Sequence, residues 1–324
     1  MKFLVTGATG FIGWRVVSNL LSRKIPVVAL DFPGDPEVMA RLRRRATETG
    51  TALDFVTANV AEFHEVMSVL HAHRDTTHVV HLAYLMSAEC EANPHLAVRV
   101  NVLGMVNLFE AVLQRALKRL VFTSSETYYG AQQEFFGERD VTEDDFAPPS
   151  QHHFTYGAMK VLNEFMAQKY VQRSGISLAC VRPPVVFGHG RKRGSVLWAE
   201  DFATKPALGQ SVTLPFSSAS RDVWIYVDDC AEQLIRLALA EKLTRFAYNN
   251  GGESVTAAEL AAIVRRWLPD AQIAFDETKP RTPLIDRMDG SRLRKEINFA
   301  PRPLADGVRA HINEARVAAN LPPV

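Results

Sequence analysis

Two side chains that could act together in proton transfer are Tyr156 and Lys160, four positions apart in Tyr-Gly-Ala-Met-Lys. Residues at i and i+4 lie on one face of a helix, so the phenol and the ammonium group are expected to be neighbours. Moving a phenol from its reference pKa of about 10 toward about 7 requires about 4 kcal/mol of preference for the phenolate. One cation at about 4 Å in an effective dielectric of about 20 supplies that much. The spacing therefore predicts that Lys160 lowers the pKa of Tyr156 and makes it a general base.

A second chemical signal is a run of hydroxyl and acidic side chains after the apolar segment 120–122. It reads Thr123-Ser124-Ser125-Glu126-Thr127-Tyr128-Tyr129-Gly130. Hydroxyls at the carboxyl end of a strand can orient a substrate oxygen for proton transfer. Simple turn formation by the serines is the alternative interpretation.

A phosphate-binding turn is predicted near the start of the chain. The segment Thr6-Gly7-Ala8-Thr9-Gly10-Phe11-Ile12-Gly13 follows the apolar run Phe3-Leu4-Val5 and leads into a stretch with helical spacing. Glycine lets the backbone approach an anion closely, and a helix N-terminus offers unpaired N–H groups and the positive end of its dipole. The Gly-x-x-Gly-x-x-Gly spacing is one residue longer than the common dinucleotide fingerprint, and its strand-to-helix context favours a dinucleotide diphosphate.

Asp31 ends the second predicted strand, eighteen positions after Gly13. A carboxylate at this place can accept hydrogen bonds from the adenosine ribose hydroxyls, and it would repel a 2′-phosphate. Phe32-Pro33-Gly34 follows, so no arginine is adjacent to take up such a phosphate. The sequence therefore predicts NAD rather than NADP, with a turn-forming aspartate as the alternative.

The elements that position these residues are short apolar runs alternating with amphipathic stretches. Strands are predicted at Val27–Asp31, 54–57, 78–83, 120–124 and 177–182. This alternation predicts an α/β fold of the Rossmann type, a doubly wound parallel sheet with ligands at the carboxyl ends of its strands. We expect residues 1–185 to form the NAD-binding domain, with a return segment near 222–242. Residues 186–324, where prolines interrupt short elements, are expected to form a smaller, mainly substrate-binding lobe.

Composition narrows the possible partners. The 324 residues are 47% hydrophobic and 23% charged, with a net charge of +1, which is typical of a globular protein and favours neither nucleic acid nor a membrane surface. The sequence predicts no signal peptide and no transmembrane span, and hence a cytoplasmic protein. Cys90, Cys180 and Cys230 are distant and odd in number, which predicts reduced thiols without a disulfide or zinc site. Four histidines cluster in the sequence, namely His71, His73, His78 and His81. They fall across a predicted helix end and the following strand rather than on one face, so no metal site is predicted.

Taken together, the ordered motifs resemble the extended short-chain dehydrogenase/reductases, the NAD-dependent epimerase/dehydratase family. Three further segments agree, namely His81-Leu82-Ala83, Asn101-Val102-Leu103-Gly104-Met105-Val106-Asn107 and Arg182-Pro183-Pro184-Val185-Val186-Phe187-Gly188. The resemblance spans roughly residues 2–240. It implies NAD held by Gly7, Gly10 and Gly13 with the backbone of Phe11 and Ile12.

The resemblance also implies individual roles. Lys160 would hold the nicotinamide ribose and, with the positive nicotinamide ring, lower the pKa of Tyr156. Asn101 resembles the helix-kink asparagine of the family's proton relay. Aligned on the Tyr-Gly pair, Ser125 takes the position of the active hydroxyl, with Ser124 as the alternative. The other residues expected beside the cofactor are Asn59, Val60, Leu82, Ala83, Tyr84 and Val185.

The implied reaction is hydride transfer between NAD and a secondary alcohol or ketone. Tyr156 would take the hydroxyl proton, and Ser125 would bind the developing oxygen. Beside Ser125, the substrate contacts are expected from Met86, Ser87, Glu126, Thr127, Arg193 and Arg221.

The sequence departs from the family pattern at several positions. Val185 stands where sugar-nucleotide enzymes have an asparagine, which disfavours a nucleotide-sugar substrate. Glu126 and Thr127 replace the Asp-Glu pair of the dehydratases, and Asn59 replaces an aspartate near the adenine. Arg221 is shifted by one residue from the family's substrate-phosphate arginine. Arg193 or Arg221 is expected to hold a small anionic substrate such as a sugar acid, the alternative being a solvated loop.

Three hypotheses follow from these observations. The leading one is an NAD-dependent dehydrogenase of a small sugar-like or sugar-acid substrate. The second is a sugar or nucleotide-sugar epimerase that oxidises its substrate transiently, and the third is a regulator that binds NAD without turnover. The resemblance also implies a homodimer through the helices that carry Asn101 and Tyr156.

Overall fold

The structure is a computed structural model that describes residues 1–194, 196–280 and 283–324. The strands are β1 (Lys2–Thr6), β2 (Val27–Asp31), β3 (Leu53–Thr57), β4 (Thr76–His81), β5 (Arg119–Thr123), β6 (Leu178–Arg182), β7 (Val185–Phe187), β8 (Val212–Leu214), β9 (Arg221–Tyr226), β10 (Ala247–Asn249), β11 (Glu253–Thr256) and β12 (Ile273–Phe275). The helices are α1 (Gly13–Ser22), α2 (Pro36–Thr49), α3 (Phe63–Ala72), α4 (Ser87–Ala92), α5 (Pro94–Ala97), α6 (Gly104–Arg115), α7 (Gln133–Phe136), α8 (Thr155–Ser174), α9 (Trp198–Ala207), α10 (Val227–Leu239), α11 (Ala257–Trp267), α12 (Ser291–Ile297) and α13 (Leu304–Ala318).

The central element is a seven-stranded sheet in the order β10-β6-β5-β4-β1-β2-β3. Every neighbouring pair in it is parallel. The inner strands β1, β5 and β6 are buried along almost their whole length and have apolar residues at their centres, as expected for a parallel sheet that helices cover on both faces. The predicted Rossmann-type α/β fold is confirmed.

The sheet places its ligand crevice beside β1. Phe3 of β1 pairs with Val27 of β2 on one side and with His78 of β4 on the other. Strand order therefore reverses around β1, and the connections leaving β1 and β4 diverge above their carboxyl ends. Doubly wound sheets bind ligands at such a point.

The return to the main sheet lies later in the chain than predicted. Strand β9 pairs with β7 and β11 in a separate three-stranded sheet, and β10 is the strand that joins β6. The predicted return segment near 222–242 does supply α10, which packs on α1, β4 and β5. Pro183 and Pro184 explain the departure, because two residues without N–H groups end the β6 ladder and start β7 in a new direction.

One hydrophobic cluster runs from the sheet into the later part of the chain. It includes Phe3 of β1, Phe187 of β7 and Ile312 of α13, all fully buried. The division into residues 1–185 and 186–324 stays a prediction, since packing is continuous across it.

The helical run Pro94–Arg115 is long and apolar enough to cross a membrane, although half of its most apolar 18-residue stretch is buried within the protein. Such partly buried helices are common in protein cores and interfaces. Cys90, Cys180 and Cys230 are free and buried.

Candidate active site

A cavity of about 910 Å³ opens at the carboxyl ends of β1, β2, β4 and β5. Most of the predicted site residues line it: Gly7, Gly10, Phe11, Ile12, Gly13, Asp31, Leu82, Ala83, Tyr84, Met86, Ser87, Ser125, Glu126, Thr127, Tyr156, Val185 and Arg193. Five predicted residues are not part of its wall: Asn59, Val60, Asn101, Lys160 and Arg221.

The glycine turn forms one wall of the cavity and continues directly into α1. A Cβ atom at Gly13 would lie 1.9 Å from the carbonyl oxygen of Gly7, so no other residue fits there. Gly7 itself has a φ of +64°, and a Cβ on it would lie 2.7 Å from the backbone of Leu82. The turn thus brings bare backbone and a helix N-terminus to the cavity, which suits a diphosphate.

Asp31 stands at the end of β2 on the same wall. Its Oδ2 accepts hydrogen bonds from the N–H of Thr9 at 2.8 Å and from the Thr9 hydroxyl at 2.5 Å. Its Oδ1 accepts a hydrogen bond from the N–H of Phe32 at 2.9 Å. These bonds fix the carboxylate next to the glycine turn, where a ribose bound beside the diphosphate would lie.

Tyr156 reaches the cavity from the first turn of α8. Glu91 anchors this helix start by accepting hydrogen bonds from the N–H and hydroxyl of Thr155 at 2.7 and 2.9 Å. The next residue, Gly157, lies so near the 126–129 turn that a Cβ on it would be 2.4 Å from the Thr127 carbonyl oxygen. This close approach brings the helix of Tyr156 against the segment that carries Ser125.

Lys160 lies beneath the cavity wall and is fully buried. Its Nζ donates a hydrogen bond to the carbonyl oxygen of Thr123 at 2.7 Å. The same nitrogen is 3.1 Å from the ring centroid of Tyr84 and 5.0 Å from that of Tyr156. Tyr84 and Tyr156 therefore enclose the ammonium group between two aromatic faces.

The pKa of Tyr156 moves in the direction opposite to the prediction. Burial raises it well above its ordinary value, and the nearby Arg191 charge lowers it only in part. Burial also lowers the pKa of Lys160, which weakens its positive charge. The prediction counted the attraction between the two groups and left out the desolvation of both, which is the larger effect here.

Ser125 lies at the start of the turn that follows β5, and its Oγ accepts a hydrogen bond from the N–H of Thr127 at 3.1 Å. Several neighbouring polar atoms are buried without a partner in the part of the chain that the structure describes. They are Tyr84 Oη, Ser124 Oγ, Glu126 Oε2 and Thr127 Oγ1. Because buried polar groups are normally paired, these atoms around one cavity are suited to a polar ligand.

Glu126 is 6% exposed and lines the cavity. Burial, together with the neighbouring Asp222 carboxyl, raises the pKa of Glu126 well above its usual range. Its side chain therefore favours the neutral acid, which can donate a hydrogen bond as well as accept one.

Asn101 holds the cavity wall from behind. It lies in the π-helical segment Val98–Leu103 and is fully buried. Its Oδ1 accepts a hydrogen bond from the N–H of Leu85 at 2.8 Å, and its Nδ2 donates one to the Leu85 carbonyl at 2.9 Å. The helix is thus irregular where the resemblance implied a kink, and the side chain of Asn101 positions the residue that follows Tyr84.

Asn59 and Val60 do not contribute to the cavity. The side chain of Asn59 turns back on its own loop, where Oδ1 accepts a hydrogen bond from the N–H of Ala61 at 3.0 Å. Val60 is buried against Gly104. Asparagine commonly forms such a turn with its own backbone. This local hydrogen bond keeps the Asn59 side chain away from the cavity although the residue follows β3.

Of the two arginines predicted to hold the substrate, Arg193 lines the cavity and Arg221 does not. Arg221 lies on β9 outside the cavity, where it donates to the Ser254 carbonyl at 2.9 Å and pairs with Glu259 at 3.4 Å. Arg193 is on the rim, 69% exposed, and pairs with Glu89. Arg191, which the sequence analysis did not single out, lines the cavity with its guanidinium carbon 4.7 Å from the Phe11 ring centroid.

His189, Glu200 and His311 form a cluster whose possible metal-ligating atoms all lie within 4.8 Å of one another. The oxygens of Glu200 are occupied by hydrogen bonds: His189 Nδ1 and the Thr204 hydroxyl contact Oε1 at 2.9 and 2.7 Å. The N–H groups of Gly190 and Arg191 donate to Oε2 at 2.9 and 3.0 Å. The cluster thus organises the loop beside the cavity.

The fold and this arrangement agree with comparisons to known proteins. The model of the NAD dependent epimerase/dehydratase family matches residues 3–251. Mitochondrial L-threonine 3-dehydrogenase from Bos taurus is 24% identical over 98% of this chain and 84% of its own. D-erythronate dehydrogenase from Cupriavidus necator is 27% identical over 90% of this chain and 89% of its own.

A solved structure with bound cofactor is similar over the whole chain. UDP-glucose 4-epimerase from Thermus thermophilus in complex with NAD is 26% identical, has a TM-score of 0.78, and matches 98% of this chain and 100% of its own. The glycine turn, its helix and Asp31 fit a dinucleotide, and NAD is the cofactor. The chain is therefore an enzyme of the extended short-chain dehydrogenase/reductase type and belongs to the NAD-dependent epimerase/dehydratase family.

Proposed function

We propose that the protein is an NAD-dependent dehydrogenase that oxidises a secondary alcohol of a small sugar-like or sugar-acid substrate, or reduces the matching ketone. The observation that carries this proposal is the contact between the start of α8 and the Ser125 turn. That contact places Tyr156 and Ser125 on the wall of the cavity that the glycine turn also lines.

In the proposed reaction, Tyr156 accepts the proton of the substrate hydroxyl, and Ser125 holds the same oxygen by a hydrogen bond. NAD, when bound, accepts the hydride from the carbon that carries this oxygen. Lys160, which the Tyr84 ring covers, would reach the nicotinamide ribose only if that ring moved aside, and Asn101 keeps the backbone after Tyr84 in place. Met86, Ser87, Glu126 and Thr127 would contact the rest of the substrate.

The cavity wall favours a small substrate over a nucleotide sugar. Val185 presents an apolar, 2% exposed side chain where a polar contact to a sugar diphosphate would be needed, and Arg221 lies elsewhere. Two relatives are named for dehydrogenation of small hydroxy acids, L-threonine and D-erythronate. Epimerisation is the second candidate, because a relative from Mycolicibacterium smegmatis is named UDP-glucose 4-epimerase.

The test is a panel of hydroxy acids, free sugars and nucleotide sugars incubated with the purified protein and NAD. We expect NADH to accumulate with a hydroxy acid such as D-erythronate or L-threonine. A stereoisomeric product without net change in the cofactor would support epimerisation instead. Binding of NAD with no turnover of any compound would contradict both enzymatic proposals.

Asp31 is expected to select NAD. In the wild type, kcat/KM should favour NAD over NADP by about 100-fold, because the carboxylate accepts ribose hydrogen bonds and repels the 2′-phosphate. Asp31→Ser should lower this ratio at least about tenfold. Steady-state kinetics with both cofactors measure it, and Asp35→Asn is the matched control because Asp35 also lines the cavity. A wild-type preference for NADP would contradict the assignment.

A homodimer is proposed through the helices that carry Asn101 and Tyr156. Their outer faces expose large apolar side chains, with Leu103 at 44%, Leu162 at 43% and Phe165 at 53%. Such a patch is typical of an interface. Phe165→Asp should convert the dimer to a folded monomer in analytical ultracentrifugation, whereas Phe146→Asp, at a site 71% exposed elsewhere, should not. A monomeric wild type would contradict the proposal.

We also propose a cytoplasmic location, which the three free, buried thiols support because reduced cysteines suit a reducing compartment.

A further inference from the structure

Arg191 is a cavity-lining cation that lacks an ionic partner among the described residues. Its Nη2 donates to the Val186 carbonyl at 2.8 Å and its Nη1 to the Arg193 carbonyl at 3.5 Å, whereas its Nε is buried without a hydrogen-bond partner. Within the described ranges of the chain, no carboxylate forms an ion pair with this guanidinium. Arg191 is half-buried, and a charge partly withdrawn from water is costly unless an opposite charge joins it.

The two basic neighbours of Arg191 behave differently. Lys192 pairs with Asp35 at 2.9 Å, and Arg193 pairs with Glu89, both on the exposed side of the loop. Burial lowers the pKa of Arg191 to about 10, although the more distant Glu200 carboxylate favours its charge. The guanidinium stays protonated at neutral pH and is the member of this basic run that still lacks an anion in the part of the chain that the structure describes.

The position of Arg191 is set by its backbone. Glu200 accepts the N–H groups of Gly190 and Arg191 through Oε2, while His189 and Thr204 hold Oε1. Thr204 is in turn hydrogen-bonded to His311 of α13 at 2.9 Å. Gly190 adopts a φ of +101°, which turns the chain so that the next side chain points over Phe11.

We propose that Arg191 is the oxyanion receptor of this cavity and that Glu200 is its positioning residue. The bound oxyanion is a diphosphate or a carboxylate, both of which match the planar guanidinium fork. The diphosphate would belong to the dinucleotide, whose expected place is the glycine turn that contains Phe11. The carboxylate would belong to the substrate, and only this second source rests on the proposed function.

The test compares Arg191→Met with Arg139→Met, which removes an exposed arginine outside the cavity. Dissociation constants are measured by calorimetry for NAD, ADP and adenosine, and, with NADH present, for D-erythronate, L-threonine and L-lactate. If the anion is the diphosphate, Arg191→Met should raise the dissociation constants of NAD and ADP at least about tenfold and leave that of adenosine unchanged. If the anion is the carboxylate, the dissociation constants of the acids should rise by that factor and that of NAD should not.

Two further variants separate binding from folding. Arg191→Lys keeps the charge but loses the planar guanidinium fork. Its dissociation constant for the affected ligand should therefore lie between those of the wild type and Arg191→Met. Glu200→Gln should also weaken the binding of that ligand and leave adenosine binding intact. A general loss of structure would weaken the binding of both.

The proposal is overturned if Arg191→Met binds NAD, ADP and every acid that the wild type binds with dissociation constants within twofold of those of Arg139→Met. If Arg191→Met does not fold, Arg191→Lys takes its place in this comparison. These readouts do not depend on turnover. A failed search for a substrate would therefore count against the proposed function and not against the receptor.

Discussion

Tyr156→Phe is expected to lower kcat by about a thousandfold, within the range found for the removal of a general base, while the dissociation constant of NAD stays within about threefold. The variant deletes one oxygen at a site that is 6% exposed and leaves the ring packed against Cys90 and Met159. Turnover and NAD binding are measured separately, by NADH formation and by calorimetry.

Tyr170→Phe is the matched control, because Tyr170 lies on the same helix and its hydroxyl bonds Glu110 at 2.5 Å outside the cavity. It should retain wild-type kcat. Near-normal turnover by Tyr156→Phe would show that another group accepts the proton.

The raised pKa of Tyr156 gives this assignment a pH signature. Because the base is the phenolate, a pKa above the ordinary value means that alcohol oxidation should accelerate as the pH rises through the neutral and alkaline range. Ketone reduction uses the phenol, which stays protonated below this raised pKa, so its rate should be nearly independent of pH over the neutral range. Bound NAD would supply a positive charge to the cavity, so the pKa of Tyr156 should be lower in the NAD complex than in the free enzyme.

Local spacing along the chain determines the positions of several predicted residues that line the cavity. A glycine turn between a buried strand and a helix can point only toward the carboxyl end of the sheet. Tyr156 follows from a helix that must pack beside β5. Asp31 likewise lies where β2 ends. These residues all line the cavity.

Other features of the site depend on contacts between distant parts of the chain, which local spacing does not reveal. Arg221 sits on a strand that pairs outside the main sheet, and nothing in its local sequence indicates that pairing. Arg191 reaches the cavity because Glu200, from α9, holds its backbone. The pKa of Tyr156 depends on the burial of the finished site, which an i, i+4 spacing does not contain.

Arg182→Met is expected to lower the free energy of unfolding by about 3–5 kcal/mol, because it leaves the Glu164 carboxylate buried without its partner. Arg182 and Glu164 are 2% and 1% exposed. Their two parallel hydrogen bonds, Nε to Oε1 and Nη2 to Oε2, measure 2.9 and 2.7 Å. Denaturant unfolding measures the loss, and Arg139→Met, which breaks a solvent-exposed pair with Asp145, should leave the unfolding midpoint almost unchanged.

This ion pair also joins the parts of the catalytic arrangement. Glu164 lies one turn after Lys160 on α8, and Arg182 donates to the Tyr129 hydroxyl at 3.1 Å, at the end of the turn that begins after Ser125. The double variant Arg182→Met, Glu164→Leu should recover most of the stability, since an apolar pair of similar volume replaces the charges. It should not recover full kcat, because the apolar pair no longer ties α8 to the Ser125 turn. Full recovery of both would mean that packing alone sets the distance between Tyr156 and Ser125.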